Sequence, residues 1–272
     1  MKSFSRIAIA NRGEVAVRII KACEEMGLET VLLHSEADIH SRAYRMATKT
    51  VCIGPASTAE SYLNISANIQ GAIAGGAQAI HPGFGFLSEN AEFAEAVEKA
   101  GLVFIGPSAS SIRMLGDKVH CKELARKAGL PLVPGYEGEN QEIAHLIIQA
   151  EKIGYPVIVK AAAGGGGRGM KLIRSADEAA ELIESAQREA QSAFGSPKVF
   201  LEKYLDRAKH IEFQIFGDSV GKVEHFYDRE CSVQRRHQKI IEEAVSPSLS
   251  EDLRRRMGEA ACAIATLGQY KG

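Results

Sequence analysis

The sequence has no excess charge of one sign, no long apolar run, no paired cysteines and no internal repeat. Its 33 Lys and Arg residues balance 34 Asp and Glu, for a net charge of −1. Near-neutrality argues against a nucleic-acid coat or a polybasic membrane-surface protein, so no nucleic acid and no membrane are expected as partners. Apolar stretches are short and broken by charges or glycine, too short to span a bilayer. The opening residues MKSFSRIAIANRGE lack the apolar stretch and the small-residue cleavage site of a secretory signal. Cys23, Cys52, Cys121, Cys231 and Cys262 are scattered and form no Cys-x-x-Cys. That disfavours a disulfide framework and a cysteine zinc site, and a reduced, cytoplasmic compartment is expected.

The composition that remains, 45% hydrophobic and 25% charged over 272 residues, is that of a globular protein of one or two domains. Arg6–Ala10 has strand length, Asn11-Arg12-Gly13 turns, and Val15, Ile19, Cys23 and Met26 recur at helical steps. Strands at Thr30–His34, Val51–Ile53, Gln78–His81 and Val103–Ile105 then alternate with helices near Tyr62–Ala74 and Asn90–Ala100. That alternation predicts a doubly wound parallel sheet over residues 1–115. A linking helix, Lys118–Ala128, follows within 116–134. Beyond it the rhythm becomes α+β. Strand Pro156–Lys160 runs into a glycine loop, with strands at Lys171–Ile173 and Lys198–Leu201 to follow. Ser175 and Glu178 form a capping-box pattern that opens a helix. Ile211–Ile215 and Lys222–Tyr227 read as a hairpin, and the last helix as Glu251–Leu267.

The strongest chemical signal is Gly164-Gly165-Gly166-Gly167-Arg168-Gly169. Glycines let backbone N–H groups approach an anion with no side chain in the way. The run matches neither a P-loop nor a dinucleotide fingerprint. Lying between two strands with Lys160 beside it, it reads as a flap over phosphates; the plainer alternative is a flexible linker. Lys118, at a helix start, is a second candidate cation, though a lone lysine is commonly a solvated charge. Glu202-Lys203-Tyr204-Leu205, just past a strand, could seat an adenine ring or simply end an amphipathic strand. The run from Glu230 to Lys239, ECSVQRRHQK, reads either as a basic patch or as part of a site, and Cys231 as a structural thiol. The residues alone therefore point to a nucleotide-phosphate protein of two unlike parts.

The run YPVIVKAAAGGGGRGM resembles the glycine flap of ATP-grasp carboxylases and carbamoyl-phosphate synthetases. IANRGEVAVRIIKAC, AIHPGFGFLSEN, FIGPS, MLGDK, LEKYL and ECSVQRRHQKIIEEA, in that order along nearly the whole chain, narrow the resemblance to biotin carboxylase. The resemblance implies ATP-dependent carboxylation of biotin by bicarbonate through carboxyphosphate, within a biotin-dependent acyl-CoA or pyruvate carboxylase. It implies a pre-ATP-grasp α/β domain over 1–115, an ATP-grasp lid over 135–203 and the start of an ATP-grasp body over 204–272. By the same resemblance, Lys118 and Lys160 meet the ATP phosphates, and Gly166 and Gly167 close the flap. Glu202, Lys203, Tyr204 and Leu205 hold the adenine, with His210, Gln234 and His237 also in the ATP site. Lys239 would meet bicarbonate. Phe84 and Gly85 would lie near biotin, Phe84 standing where many relatives carry tyrosine.

The expected ligands are ATP, magnesium and carrier-bound biotin. Partners would be a biotin carboxyl carrier protein or domain, a carboxyltransferase and a second copy of the chain as a homodimer. A mitochondrial matrix location would apply in a eukaryote, though no transit peptide is seen. The family's magnesium ligands, catalytic glutamate and biotin-orienting arginines fall after residue 272, so no metal site is expected within these residues. A fragment, half of a split enzyme, or a catalytically dead ATP-grasp remnant serving as a binding module all fit that pattern. The 272 residues alone are expected to be inactive.

Overall fold

A computed structural model describes residues 4–116, 118–162, 170–218, 220–235 and 238–272. The chain divides into two units. One comprises Met1–Cys121, Phe216–Val223 and Ala265–Gly272, the other Lys122–Ile215 and Glu224–Ile264.

The first unit alternates strands and helices: β1 (Arg6–Ile9), α1 (Gly13–Glu25), β2 (Glu29–Ser35), α2 (Arg42–Met46), β3 (Lys49–Gly54), α3 (Ile65–Ala74), β4 (Ala79–His81), α4 (Ala91–Lys99), β5 (Val103–Phe104) and α5 (Ala109–Gly116). All strand pairs are parallel, in the order β3-β2-β1-β4-β5, as the alternation predicts. The near-continuous apolar sequence of β1 follows from burial on both faces. Ile7 and Ile9 pack with Ile20, Leu32 and Ala79 on one side. Ala8 packs with Leu33, Ile80 and Phe93 on the other. Because β2 lies on one side of β1 and β4 on the other, the chain changes direction between β1 and β4. The crevice at their carboxyl ends is where doubly wound sheets bind ligands.

A buried carboxylate ties the turns above this sheet together. Arg12 donates from Nε and Nη2 to Asp38 at 3.0 and 2.6 Å, and Tyr62 Oη and Ser35 Oγ donate to it at 2.6 and 2.9 Å. These donors, the Arg12 hydrogen bonds foremost, hold the Asp38 carboxyl down at about 2 against the opposing effect of burial.

Helix α6 (Lys118–Lys127) leads into the second unit at Lys122. Next come β6 (Gly135–Tyr136), α7 (Ile143–Ile153), β7 (Val157–Ala161), β8 (Lys171–Ile173), α8 (Ala176–Phe194) and β9 (Val199–Lys203). The four strands form an antiparallel sheet in the order β6-β9-β7-β8. Val157, Val159 and Leu201 face α7 and α8 through Leu146, Ile183 and Ala186. The capping box at Ser175 and Glu178 is present, and α8 ends at Gly195 in the left-handed conformation (φ 74°) that glycine adopts without strain.

A separate three-stranded sheet has the order β10-β11-β12, from β10 (Ile211–Gly217), β11 (Val223–Arg235) and β12 (Gln238–Glu243), and is followed by α9 (Glu251–Leu267). Arg254 on α9 donates from Nε to the buried Asp228 of β11 at 2.7 Å, which ties helix to sheet.

Three features go beyond the sequence reading. Helices α2, α5 and α7 were not anticipated. The segment around Arg235–Lys239, read as patch or site, joins paired antiparallel strands, with Gln234 opposite Lys239 and Arg235 opposite Gln238. Strand β11 runs on to Arg235, eight residues past the expected hairpin arm ending at Tyr227.

Candidate functional site: a lysine–glutamate relay on the four-stranded sheet

Antiparallel pairing sets Lys160 of β7 beside the end of β9, with Lys160 opposite Phe200 and Ile158 opposite Glu202. Lys160 Nζ donates to Glu202 Oε2. Lys122 of α6, which the sequence reading passed over, donates to Glu202 Oε1 at 2.6 Å. Lys122 is shared with Glu137, in the loop after β6, and the far oxygen of Glu137 pairs with Arg126 at 3.4 Å. The result is an alternating relay, Lys160–Glu202–Lys122–Glu137–Arg126. Burial pushes the Glu202 carboxyl up, but the two lysines outweigh it and leave the group below its ordinary value. Burial likewise opposes the charge on Lys122, and its two carboxylates override that and raise it.

A second cluster lies on β10–β12. The Nε2 of Gln234 is 2.9 Å from His210 Nδ1 and donates to the Cys231 carbonyl at 2.9 Å. Lys239 donates to Glu212 Oε2, and Arg229 donates to Glu212 Oε1 from Nε and Nη2 at 2.8 and 2.6 Å. Burial of Glu212 is again overridden by its cations, leaving the carboxyl low, while the hydrogen bond to Glu212 raises Lys239. The Cys231 thiol is buried, and that burial, followed by the charge of Glu212, pushes it up. Such a thiol stays protonated near neutrality and has none of the thiolate character of a nucleophile.

The remaining sequence candidates fall in several places. Lys203 turns its ammonium onto the carbonyls of Gly154 and Tyr155, both at 2.8 Å, and its main-chain N–H donates to the Pro134 carbonyl at 2.8 Å. The Tyr204 N–H bonds the Pro156 carbonyl at 3.0 Å, and Leu205 is exposed. Lys118 is the first residue of α6, but its side chain is not described. Gly166, Gly167 and His237 lie outside the described residues.

Phe84 and Gly85 belong to the first unit, in the loop that follows β4. Phe84 is 68% exposed. Asn11, buried after β1, donates to the carbonyls of Pro82 and Phe84 at 2.7 and 2.8 Å. Gly83 between them has φ 65°, and a Cβ there would lie 2.6 Å from Val15 and 2.8 Å from the Asn11 amide, so only glycine fits.

Among the described residues, the cluster of Glu212, Cys231 and Glu242 brings three potential ligand atoms within 4.8 Å of one another. It does not suit magnesium, a hard cation that takes oxygen ligands. One of the three is a protonated thiol, and the Glu212 carboxylate is already held by Lys239 and Arg229.

Known proteins resemble the chain throughout its length. The family "Biotin carboxylase, N-terminal domain" matches residues 3–112, and "Carbamoyl-phosphate synthase L chain, ATP binding domain" matches residues 117–272. A biotin carboxylase from Nostoc sp. is 51% identical over 269 residues, which is 99% of this chain and 60% of that protein. The solved structure of a biotin carboxylase–β-γ-ATP complex from Campylobacter jejuni superposes with a TM-score of 0.93 at 43% identity, covering 99% of this chain and 60% of that one. The biotin carboxylase domain dimer of Hydrogenobacter thermophilus 2-oxoglutarate carboxylase, in complex with MgADP, ADP and bicarbonate, gives 0.90 at 40% identity over 100% of this chain and 60% of that one. The chain thus spans about 60% of the length of these relatives. The parallel sheet of the first unit, the antiparallel sheets of the second and the agreement of both family matches lead to one assignment: this chain belongs to the biotin carboxylase family.

Proposed function

We propose that the chain provides the nucleotide-binding and biotin-facing parts of a biotin carboxylase, an ATP-dependent ligase that carboxylates carrier-bound biotin with bicarbonate through carboxyphosphate. The observation that carries this reading is the Lys160–Glu202 pair, a cation suited to phosphate held against a carboxylate suited to the adenine amine. Phosphoryl transfer is mostly positioning and charge neutralisation, and lysines beside a glycine-rich flap are equipped for both. In this reading Lys118 and Lys160 take the phosphates under Gly166 and Gly167. Glu202, with the main chain of Lys203, Tyr204 and Leu205, seats adenine, and His210, Gln234 and His237 complete the nucleotide site. Lys239 holds bicarbonate, and the Phe84–Gly85 loop faces biotin.

The division into an N-terminal domain over 1–115, a lid over 135–203 and a body from 204 belongs to the same proposal. So do a carrier protein and a carboxyltransferase as partners, a homodimer like that of the Hydrogenobacter domain, and a cytoplasmic location. Among the described residues, no helix is long and apolar enough to cross a membrane.

The 272 residues should bind nucleotide weakly, with ADP nearly as good as ATP. Calorimetry on the wild type and Lys160→Ala tests this. Loss of a charge-assisted phosphate contact should weaken both nucleotides roughly ten- to a hundredfold. A folded chain that binds neither at millimolar concentration would refute the reading.

A further inference from the structure

We propose that Lys122 is a positioning residue that makes the site select adenine over guanine nucleotides, by keeping the Glu202 carboxylate charged and aimed once Lys160 has moved to phosphate. The inference rests on Lys160 and Glu202 being nucleotide contacts. It starts from the two lysines using different oxygens of one carboxylate: Lys122 holds Oε1 and Lys160 holds Oε2. Lys160 cannot neutralise a phosphate and remain on Glu202 with the same strength, so nucleotide binding draws it away and vacates Oε2. An ionised carboxylate oxygen accepts hydrogen bonds and donates none. The vacated oxygen therefore matches the 6-amino group of adenine and repels the 6-carbonyl of guanine.

That discrimination fails if Glu202, left without a cation in a largely buried position, takes up a proton or swings away. Lys122 prevents both, and it is not free to leave. Its second partner, Glu137, has a side chain only 10% exposed and lies outside the proposed nucleotide contacts. Arg126 in turn holds the other oxygen of Glu137. The Lys122 side chain is 20% exposed against 36% for Lys160, so the two amines differ in access to solvent as well as in partners. Lys203, the next cation along β9, cannot substitute, because its ammonium is committed to Gly154 and Tyr155. One lysine is thus placed to exchange and the other to stay.

The test is calorimetry of ADP and GDP on the 272-residue chain as wild type, Lys122→Met, Lys122→Arg and Glu137→Gln, with thermal melts to verify folding. Wild type should favour ADP. Lys122→Met should weaken ADP about tenfold while GDP changes by less than about threefold, since only the amine-bearing base loses a charge-assisted bond. Lys122→Arg should restore most of the preference, and Glu137→Gln should lower it in the same direction by a smaller factor. If Lys122→Met weakens both nucleotides equally, or leaves their ratio unchanged, the residue is merely structural and the proposal falls while the nucleotide reading stands. A folded wild type that binds neither nucleotide overturns both. Should Lys122→Met fail to melt cooperatively, the Glu137→Gln ratio decides, and no change there overturns the proposal.

Discussion

Asp38 in the first unit and Glu202 in the second are both largely buried carboxylates held by cations, yet their surroundings differ in kind. Asp38 accepts from a two-pronged guanidinium and two hydroxyls, one of them on the fully buried Tyr62. Glu202 accepts from two lysines, whose flexible stems lose side-chain entropy when held and regain it when released. A planar fork plus short hydroxyls closes a knot that no ligand can enter without breaking several bonds at once. Two independent amines make a junction in which one contact can be exchanged while the other persists. The charges are alike; the stiffness of what surrounds them separates a brace from an exchangeable junction.

The sharpest way to break this contrast is to remove the brace. Asp38→Ala should destabilise the first unit by about 3 kcal/mol, because the buried Tyr62 and Ser35 hydroxyls lose their acceptor and Arg12 loses its partner. Urea unfolding followed by circular dichroism measures it, and a loss below about 1 kcal/mol would make Asp38 no more than a surface-type pair. Next in size is acid sensitivity. The folded Asp38 carboxyl titrates at about 2 against an unfolded 3.8. Its contribution is therefore fully present above the unfolded value and is lost as pH falls through the folded one. Up to about 2 kcal/mol should disappear between roughly pH 5 and 2, less to the extent that the half-exposed Arg12 is screened. Asp38→Asn should flatten that part of the pH–stability curve. The smallest expected effect on stability is at the junction. Glu202→Gln should cost under about 1 kcal/mol, since Lys160 and Lys122 can turn toward water or Glu137, while ADP binding suffers about tenfold. A stability loss equal to that of Asp38→Ala would erase the distinction.

The parallel sheet was legible because β1 to β5 are short apolar runs separated by helical periodicity, and the start of α8 because Ser175 and Glu178 sit at capping-box spacing. Helix α7 was missed because it fully buries only Leu146 and Ala150, a face too narrow to stand out between two prolines. Helix α2, five residues long, gives periodicity nothing to work on. In the candidate site, Lys160 and Glu202 were visible from the glycine loop and the strand ends. Lys122 was not, because its partners Glu137 and Glu202 lie 15 and 80 residues away and meet it only through tertiary structure. Likewise, the basic-patch reading of ECSVQRRHQK stayed open in the sequence because the partner of Lys239, Glu212, belongs to a different strand.

The amide of Asn11 has a consequence for how the loop after β4 meets whatever it faces. Two carbonyls of that loop are fastened to a side chain that follows β1, at the point where the chain reverses its direction through the sheet. The loop cannot swing without stranding a buried amide that donates both its hydrogens there. The exposed ring of Phe84 is therefore carried on a platform whose freedom was spent during folding. A molecule that settles against it meets a main chain already in place and loses affinity only to ordering the ring.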